Sequence, residues 1–150
     1  MIQAGYFFND KEALEDAWAI RRKVFIEEQG VSEELEMDGK DQDNWFVVVY
    51  EDDKPLATGR LLNEEGKYLA GRIAVLKEFR GQHLGDLVVK MLVDKAFTLG
   101  GEAVYLHAQT DALGFYETIG FEAFGDVYQE AGIPHQSMFI TEKMVKKCKH

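Results

Sequence analysis

A basic, glycine-containing segment at a predicted helix entrance offers donors for an anion. Arg80 and Gly81 stand where no Ser, Thr, Asp or Asn occupies the usual capping position. A helix begins with about four backbone N–H groups that have no partner within the helix, and its positive dipole end attracts anions. With no side-chain acceptor, these groups are free to hold a phosphate beside Arg80. The sequence therefore predicts a phosphate cradle; a plain glycine cap beside an exposed arginine is the alternative.

Two common nucleotide-binding loops do not describe this segment. It contains no Gly-Lys-Ser or Gly-Lys-Thr, so it is not a Walker loop. Gly81 and Gly85 also lack the glycine spacing of a Rossmann fingerprint. The residues alone thus predict an anion site without naming its ligand.

The cradle joins a predicted strand over 68–76 to the clearest helix of the chain. Apolar residues recur at helical spacing from Leu84 to Leu99, after a start near Gly81, and Gly100 with Gly101 supplies a left-handed stop. Before the strand, β-rich runs over 45–50 and 56–62 flank a turn and predict a hairpin.

The remaining elements alternate between strand and helix. A short strand over 5–8 precedes a helix that is capped by Asn9 or Asp10 and ends before Gly30. These elements and those of the second half predict an α/β or α+β domain with a mixed sheet. The second half contains a buried strand over 104–108, a helix capped by Thr110 and ended by Gly120, and strands near 122–124 and 136–144.

Length, composition and charge exclude several classes of protein. The 150 residues, 46% hydrophobic and 29% charged, predict one globular domain over 1–150. A single cysteine, Cys148, and four scattered histidines predict no disulfide and no metal. The net charge of −10 disfavours nucleic acid and favours cationic small molecules or basic partners. With neither a secretory signal nor a membrane-spanning apolar run, a cytoplasmic protein without membrane contact is expected.

An acidic stretch follows the first helix. Residues 27–43 hold eight carboxylates against one base, Lys40, which is too polar a composition for a core. We expect a surface loop or a short helix there.

The cradle forms part of a motif that resembles one of a known superfamily. The segment 75–85 consists of Val75, four further residues and then Arg-Gly-Gln-His-Leu-Gly at 80–85. It resembles the acetyl-CoA motif of the GNAT N-acetyltransferases, which is written Gln/Arg-x-x-Gly-x-Gly/Ala. Gly81 matches its first glycine, whereas Glu78 and His83 depart from it.

A second motif follows in the order found in that superfamily. Residues 109–121 resemble Asn-x-x-Ala-x-x-Leu-Tyr-x-x-x-Gly-Phe, with Gln109 for Asn and Phe115 for Leu. The segments 22–29 and 130–135 are similar to the small bacterial YjcF-like and ElaA-like branch, so the resemblance extends over nearly the whole chain.

The resemblance implies a fold and a cosubstrate. It implies a mostly antiparallel sheet flanked by helices, in which two strands splay at an acetyl-CoA cleft. Backbone groups of one splayed strand would hold pantetheine and the acetyl carbonyl, and an N–H there would stabilise the oxyanion. The implied cosubstrate-binding residues are Ile73, Ala74, Val75, Arg80, Gly81, Gln82, His83, Leu84, Gly85, Gln109 and Phe115.

Acetyl transfer also needs an acid and a base. A thiol has a pKa near 8.5 and a phenol near 10, so a tyrosine can protonate the leaving thiolate, and Tyr116 of the second motif is the candidate. A core role on the apolar face of its helix is the alternative for Tyr116. His107 is a candidate base, although a structural histidine or a water relay would also fit, and Arg72 cannot act as a base.

The acceptor expected from the resemblance is a small primary amine. The acidic stretch 27–43 would line the acceptor side of the cleft and attract a cationic amine, or it would be a solvated loop. His135 is placed near the acceptor or in a simple turn, Cys148 is not expected to be a covalent relay, and a homodimer is left open.

Two other functions remain as alternatives. Arg21, Phe25 and the acids Glu36, Asp38 and Asp41 also resemble a signature of the longer acyl-homoserine lactone synthases. A non-catalytic acyl-CoA sensor is the third reading.

Overall fold

The structure, a computed structural model, describes residues 1–145 and is built on one seven-stranded sheet. The strand order is β1-β2-β3-β4-β5-β7-β6. All neighbouring strands are antiparallel except β4 and β5, which are parallel, so the predicted mixed and mostly antiparallel α+β sheet is confirmed. The strands are β1 (Ile2–Phe8), β2 (Trp45–Glu51), β3 (Lys54–Glu64), β4 (Lys67–Val75), β5 (Ala103–Gln109), β6 (Glu122–Glu130) and β7 (Ile133–Thr141).

Helices cover both faces of the sheet. The Asp10 side chain caps the first helix by accepting a 3.1 Å hydrogen bond from the N–H of Ala13, as the sequence predicts. That helix continues directly as a π-helix over Arg22–Glu28. The α-helices are α1 (Lys11–Arg21), α2 (Glu33–Glu36), α3 (Leu84–Thr98) and α4 (Leu113–Ile119), and short 3-10 turns cover Lys77–Phe79, Thr110–Ala112 and Glu142–Met144.

The core has two layers, and strand β2, which lies between β1 and β3, is buried on both sides. Val47 and Val49 pack with α3 on one face, whereas Phe46 and Val48 pack with α1 on the other. Successive strand residues point to opposite faces, so a continuous apolar run is what a two-sided position requires. The site described below lies where this sheet divides.

The sheet opens between β4 and β5. Only Tyr68–Val104 and Leu69–Tyr105 pair across this parallel contact, and the strands separate beyond them. On its other side, β4 stays paired with β3 as far as Val75. The register of this pairing shifts at Arg72, whose backbone is left-handed with a φ of 52°. This bulge turns β4 away from β5. Residues 70–75 thus have no strand partner on the β5 side within the described chain.

Two local predictions were wrong. Thr110 does not cap a helix; it begins a 3-10 turn, and α4 starts at Leu113 without a side-chain cap. The predicted short strand near 122–124 extends to Glu130, and a tight turn at Ala131 and Gly132 leads into β7. The strand β6 is an almost wholly exposed edge, so its sequence carries no alternation of buried and exposed positions.

Candidate active site

A cavity of about 460 Å³ occupies the opening between β4 and β5. The bulge of β4, the start of α4, the β6–β7 turn and the segment between α1 and β2 all contribute to its wall. Ile73, His107, Gln109 and Tyr116 of the predicted set line it. The divergence of two strands therefore brings a residue of β4 together with residues of β5 and of the second motif.

Tyr116 lies on α4 with its ring in an aromatic cluster. Its ring centroid is 5.0 Å from that of Phe115 and 5.9 Å from that of Phe121, and Gly120 ends the helix directly behind it with a φ of 125°. Burial raises the pKa of Tyr116 to about 12. The phenol therefore stays protonated at neutral pH and can serve as an acid.

His107 has a carboxylate partner that the sequence analysis did not identify. Its Nδ1 is 3.0 Å from Oε1 of Glu130, and this hydrogen bond lowers the pKa of Glu130. An ionised carboxylate only accepts, so in the neutral imidazole Nδ1 carries the hydrogen and Nε2 the lone pair. The arrangement leaves Nε2 able to take a proton.

His135 extends this group from the neighbouring strand. Its Nδ1 is 2.7 Å from the carbonyl oxygen of Ile133, and its Nε2 is 3.6 Å from Oε2 of Glu130. The Tyr128 ring stacks on the His135 ring. Glu130 thus lies between two histidine rings at one end of the cavity.

The predicted cradle lies at the entrance of α3, outside the cavity wall. Gly81 (φ 85°) and His83 (φ 62°) are both left-handed, and no side chain caps the helix. His83 therefore adopts a conformation that favours glycine at the position where the superfamily motif has Gly or Ala. Within residues 1–145 the first backbone bond of α3 is from Leu87 to the His83 carbonyl, which leaves the N–H groups of the preceding turn free.

Arg80 is already paired. Its Nη1 and Nη2 donate to the two oxygens of Glu28 at 2.6 and 2.9 Å, and its Nε donates to the Val75 carbonyl at 3.1 Å. Both ion-paired side chains are partly exposed. The positive charge at the cradle is therefore balanced by a carboxylate from the π-helix.

The other predicted cosubstrate residues divide between the two regions. A side chain at Gly85 would contact Phe115 and Val75, so these three lie together beside the cradle. Gln109 donates to the side-chain oxygen of Gln29 at 2.9 Å in the cavity wall. Ala74 and Leu84 are buried and offer only backbone groups, and Gln82 is exposed next to Gly81.

The acidic stretch 27–43 forms the expected short helix, α2, but not all of it lies at the surface, which corrects that part of the prediction. Glu36 and Asp41 are buried, at 2% and 7% exposure. Arg21 donates to each of them at 2.6 Å, Arg60 donates to Asp38 at 2.8 Å, and Arg72 lies 3.0 Å from Glu36. Three carboxylates are thus matched by three arginines, which we call the Arg–acid network: Arg21, Arg60, Arg72, Glu36, Asp38 and Asp41.

The network explains why those acids cannot act as a general electrostatic attractor. Opposite charges held within hydrogen-bond distance cancel at longer range. The charged residues of the lactone-synthase signature, Arg21, Glu36, Asp38 and Asp41, all belong to this network. Their presence is accounted for by folding. The remaining residue of the signature, Phe25, lines the cavity.

Sequence reasoning missed Glu130, Arg60 and Arg72 as parts of the site. Glu130 belongs to a segment already noted for its similarity, but its contact with His107 crosses 23 residues. Arg60 lies in a buried strand run, where a charged residue signals a buried ion pair. Such signals indicate that a partner exists without indicating which residue it is.

The fold and the comparisons with known proteins indicate an acyltransferase domain of a family whose donors are acyl-CoA thioesters. The acetyltransferase (GNAT) domain model matches residues 9–142. The uncharacterized N-acetyltransferase YjcF of Bacillus subtilis is 35% identical over 86% of this chain and 93% of its own length. The chain therefore belongs to the GNAT family, as the sequence motifs predict.

Solved structures agree with this family. The crystal structure of Escherichia coli ElaA superposes with a TM-score of 0.85 at 26% identity, covering 93% of this chain and 99% of that one. An acyl-CoA N-acyltransferase from Pseudomonas aeruginosa gives a TM-score of 0.83 at 28% identity, with 93% and 99% covered.

The sequence also led us to expect neither a membrane-spanning segment nor a metal site. In the described part of the chain, no helix has the length and apolarity to span a membrane. Within residues 1–145, no group of three or more His, Cys, Asp or Glu side chains is arranged so that it could hold a metal ion. Cys148 lies outside the described residues.

Proposed function

We propose that this protein transfers the acetyl group of acetyl-CoA to a primary amine by direct attack in a ternary complex. The amine nitrogen attacks the thioester carbonyl carbon, the C–S bond breaks, and an amide and the free thiol result. The observation that carries the proposal is that an acid candidate, Tyr116, and a base candidate, His107, line one cavity at the divergence of β4 and β5.

Tyr116 supplies the proton for the leaving thiolate. Burial keeps its phenol protonated, and a phenol is a weaker acid than a thiol, so the proton moves to sulfur only as negative charge develops there. The aromatic packing against Phe115 and Phe121 holds the ring in place.

His107 removes the proton of the attacking amine through Nε2. A primary amine with a pKa near 10 is mostly protonated at pH 7, so a base is needed before or during attack. Glu130 fixes the tautomer and stabilises the imidazolium that forms. Glu130 is thus a positioning residue for the base.

The free N–H groups at the start of α3 hold the pyrophosphate of the cosubstrate. The missing side-chain cap and the left-handed residues Gly81 and His83 support this role. On β4, backbone groups of Ile73, Ala74 and Val75 that lack a partner from β5 bind pantetheine and the acetyl oxygen.

Thiol release from acetyl-CoA with a panel of primary amines tests the proposal. We expect Tyr116→Phe to lower kcat about 100-fold, the scale of general acid catalysis, while cosubstrate binding is retained. Tyr105→Phe is the matched control: Tyr105 lies on β5 outside the cavity lining, packs against Phe124, and its substitution should keep full activity.

The outcomes separate the enzyme from a sensor. Thiol release that survives unchanged in the Tyr116→Phe variant removes Tyr116 from the mechanism. Binding of acetyl-CoA without release for any amine would favour a non-catalytic acyl-CoA sensing module instead.

A further inference from the structure

Almost all charges around the cavity cancel within the protein. Glu36 and Asp38 line the cavity and are both paired within the Arg–acid network. Glu64, at the outer edge, lies 3.5 Å from the Nζ of Lys40. These three carboxylates therefore offer little net attraction to a cation.

Glu130 is the exception. Its partners are the rings of His107 and His135, and within residues 1–145 no arginine or lysine nitrogen lies within 4.0 Å of its carboxylate. When both histidines are neutral, this carboxylate leaves one negative charge at the cavity. It lies on the same wall as the candidate base.

Much of the remaining wall is apolar. Aliphatic and aromatic side chains from the π-helix, the segment after it and strands on both sides of the opening face the same space. A second ammonium placed against these side chains would lose its hydration without gaining a partner. The apolar lining includes Phe25, Val31, Leu35, Leu62, Leu106 and Ile133.

The two arginines that line the cavity do not form a receptor for a carboxylate. Arg60 and Arg72 already lie against Asp38 at 2.8 and 3.2 Å. The Nε of Arg72 lies 3.0 Å from Oε2 of Glu36. The Nε of Arg60 has no hydrogen-bond acceptor in the described chain, but it is buried from solvent, so a ligand does not reach it. Acidic acceptors thus find no free cation there.

We propose that the acceptor is an amine with a single cationic centre on an apolar body, whose ammonium binds at Glu130 and whose body lies against the apolar wall. This inference rests on the proposed function and specifies its substrate class. It disfavours polyamines, which the net charge of the whole chain would have favoured. Binding at Glu130 holds the nitrogen on the same cavity wall as the His107 ring.

A pair of amines of equal size provides the test. Hexylamine and cadaverine have the same number of heavy atoms, and a terminal methyl in one is an ammonium in the other. We expect kcat/KM for hexylamine to exceed that for cadaverine by at least about tenfold. Equal values, or a preference for cadaverine, would overturn the inference.

Equilibrium binding keeps this result separate from catalysis. Each amine is titrated calorimetrically into protein saturated with coenzyme A, and the same preference is expected. If neither amine releases thiol but hexylamine binds more tightly, the proposed catalysis fails and the binding inference stands. If thiol is released but cadaverine binds as well as hexylamine, the inference about the acceptor fails and the proposed catalysis stands.

Two matched substitutions locate the effect. Leu35 is 57% exposed and lines the cavity, and only its backbone carbonyl is used by Arg72, so its side chain can change without loss of the fold. Leu35→Glu should bring the hexylamine-to-cadaverine ratio towards one, whereas the neutral Leu35→Gln should not. A ratio that moves equally in both variants would contradict the charge argument.

Removing the carboxylate of Glu130 tests the proposed ammonium-binding site directly. We expect Glu130→Gln to weaken the binding of hexylamine about tenfold, because a single ion pair in a partly buried site is lost. Coenzyme A binding should not change. Unaltered hexylamine affinity in this variant would show that the ammonium binds elsewhere and would overturn the inference.

Discussion

At the scale of single residues, charges in this protein are used mainly to hold segments in place. Asp38 illustrates this. Burial raises its pKa, but hydrogen bonds from Arg60 and from the backbone of Lys40, with the charges of Arg60 and Arg72, outweigh burial and lower the pKa to about 2. Its ionised form is therefore favoured by the fold.

This shift predicts an acid-sensitive contribution to stability. Because the folded-state pKa lies below the ordinary aspartate value of 3.8, the contribution is present above about pH 4 and is lost as the pH falls towards 2. We expect Asp38→Asn to lower the free energy of unfolding by about 1 kcal/mol at pH 7, since solvent screens part of the interaction, and to flatten its acid dependence. Urea denaturation at several pH values measures this.

The control for that prediction is Asp52→Asn. The Asp52 side chain is 85% exposed and pairs only with the N-terminal amine, so its removal should leave the acid dependence unchanged. Parallel pH profiles for wild type and Asp38→Asn would contradict the assigned role of Asp38.

The pairing of Arg80 with Glu28 bears on cosubstrate affinity. The carboxylate lies beside the proposed pyrophosphate site, where it opposes an incoming anion. We expect Glu28→Gln to tighten binding of coenzyme A about two- to fivefold, or about 0.5–1 kcal/mol for a partly exposed pair. Calorimetric titration measures the change.

Glu27→Gln is the matched control for this substitution. It removes the same charge from the same π-helix, but Glu27 is exposed and Arg80 pairs with its neighbour. Equal effects of the two substitutions would show that only net charge matters. Weaker binding in Glu28→Gln would mean that the ion pair instead positions Arg80 for the cosubstrate.

At the scale of elements, the site depends on how closely α3 packs on the sheet. Gly59 on β3 lies under this helix, and a Cβ built there would overlap the Val88 side chain and lie 2.9 Å from Cδ1 of Leu92. The helix axis is therefore held close to β3, and its N-terminus is held beside the end of β4. This geometry places the cradle next to Val75.

We expect Gly59→Ala to destabilise the protein by about 1–3 kcal/mol, because the core must shift to admit one methyl group. Thermal or urea unfolding measures this. Gly114→Ala is the control, since a Cβ at Gly114 meets nothing within 4 Å and alanine favours the α4 helix by up to about 1 kcal/mol. Similar destabilisation by both changes would argue against close packing as the cause.

At the scale of the whole molecule, ligand binding should stabilise the native state. Acetyl-CoA at about 100 times its dissociation constant would add roughly 2.7 kcal/mol, or about 5–10 °C in Tm for a chain of this size. Differential scanning calorimetry with and without the cosubstrate measures the shift. An unchanged Tm at saturating concentration would leave the cradle without its proposed ligand.

Much of the architecture could be predicted because it depends on local patterns. The Asp10 cap, the helical spacing of α3 and the glycines that end α3 and α4 each depend on residues within a few positions of one another. The two motifs then pointed to the family and to Tyr116. Those inferences needed no knowledge of distant contacts.

The sequence by itself thus determined the elements, their order, the family and the residue types available for acid–base chemistry. Only the tertiary structure decided which charges are free. Whether Glu36 faces Arg21 or a substrate depends on how the segment after the π-helix packs against α1. Whether His107 meets Glu130 depends on the pairing of β5 and β6 with the strand between them, β7. Ion pairing is decided by distances of a few ångströms between segments far apart in sequence, and local periodicity does not encode those distances.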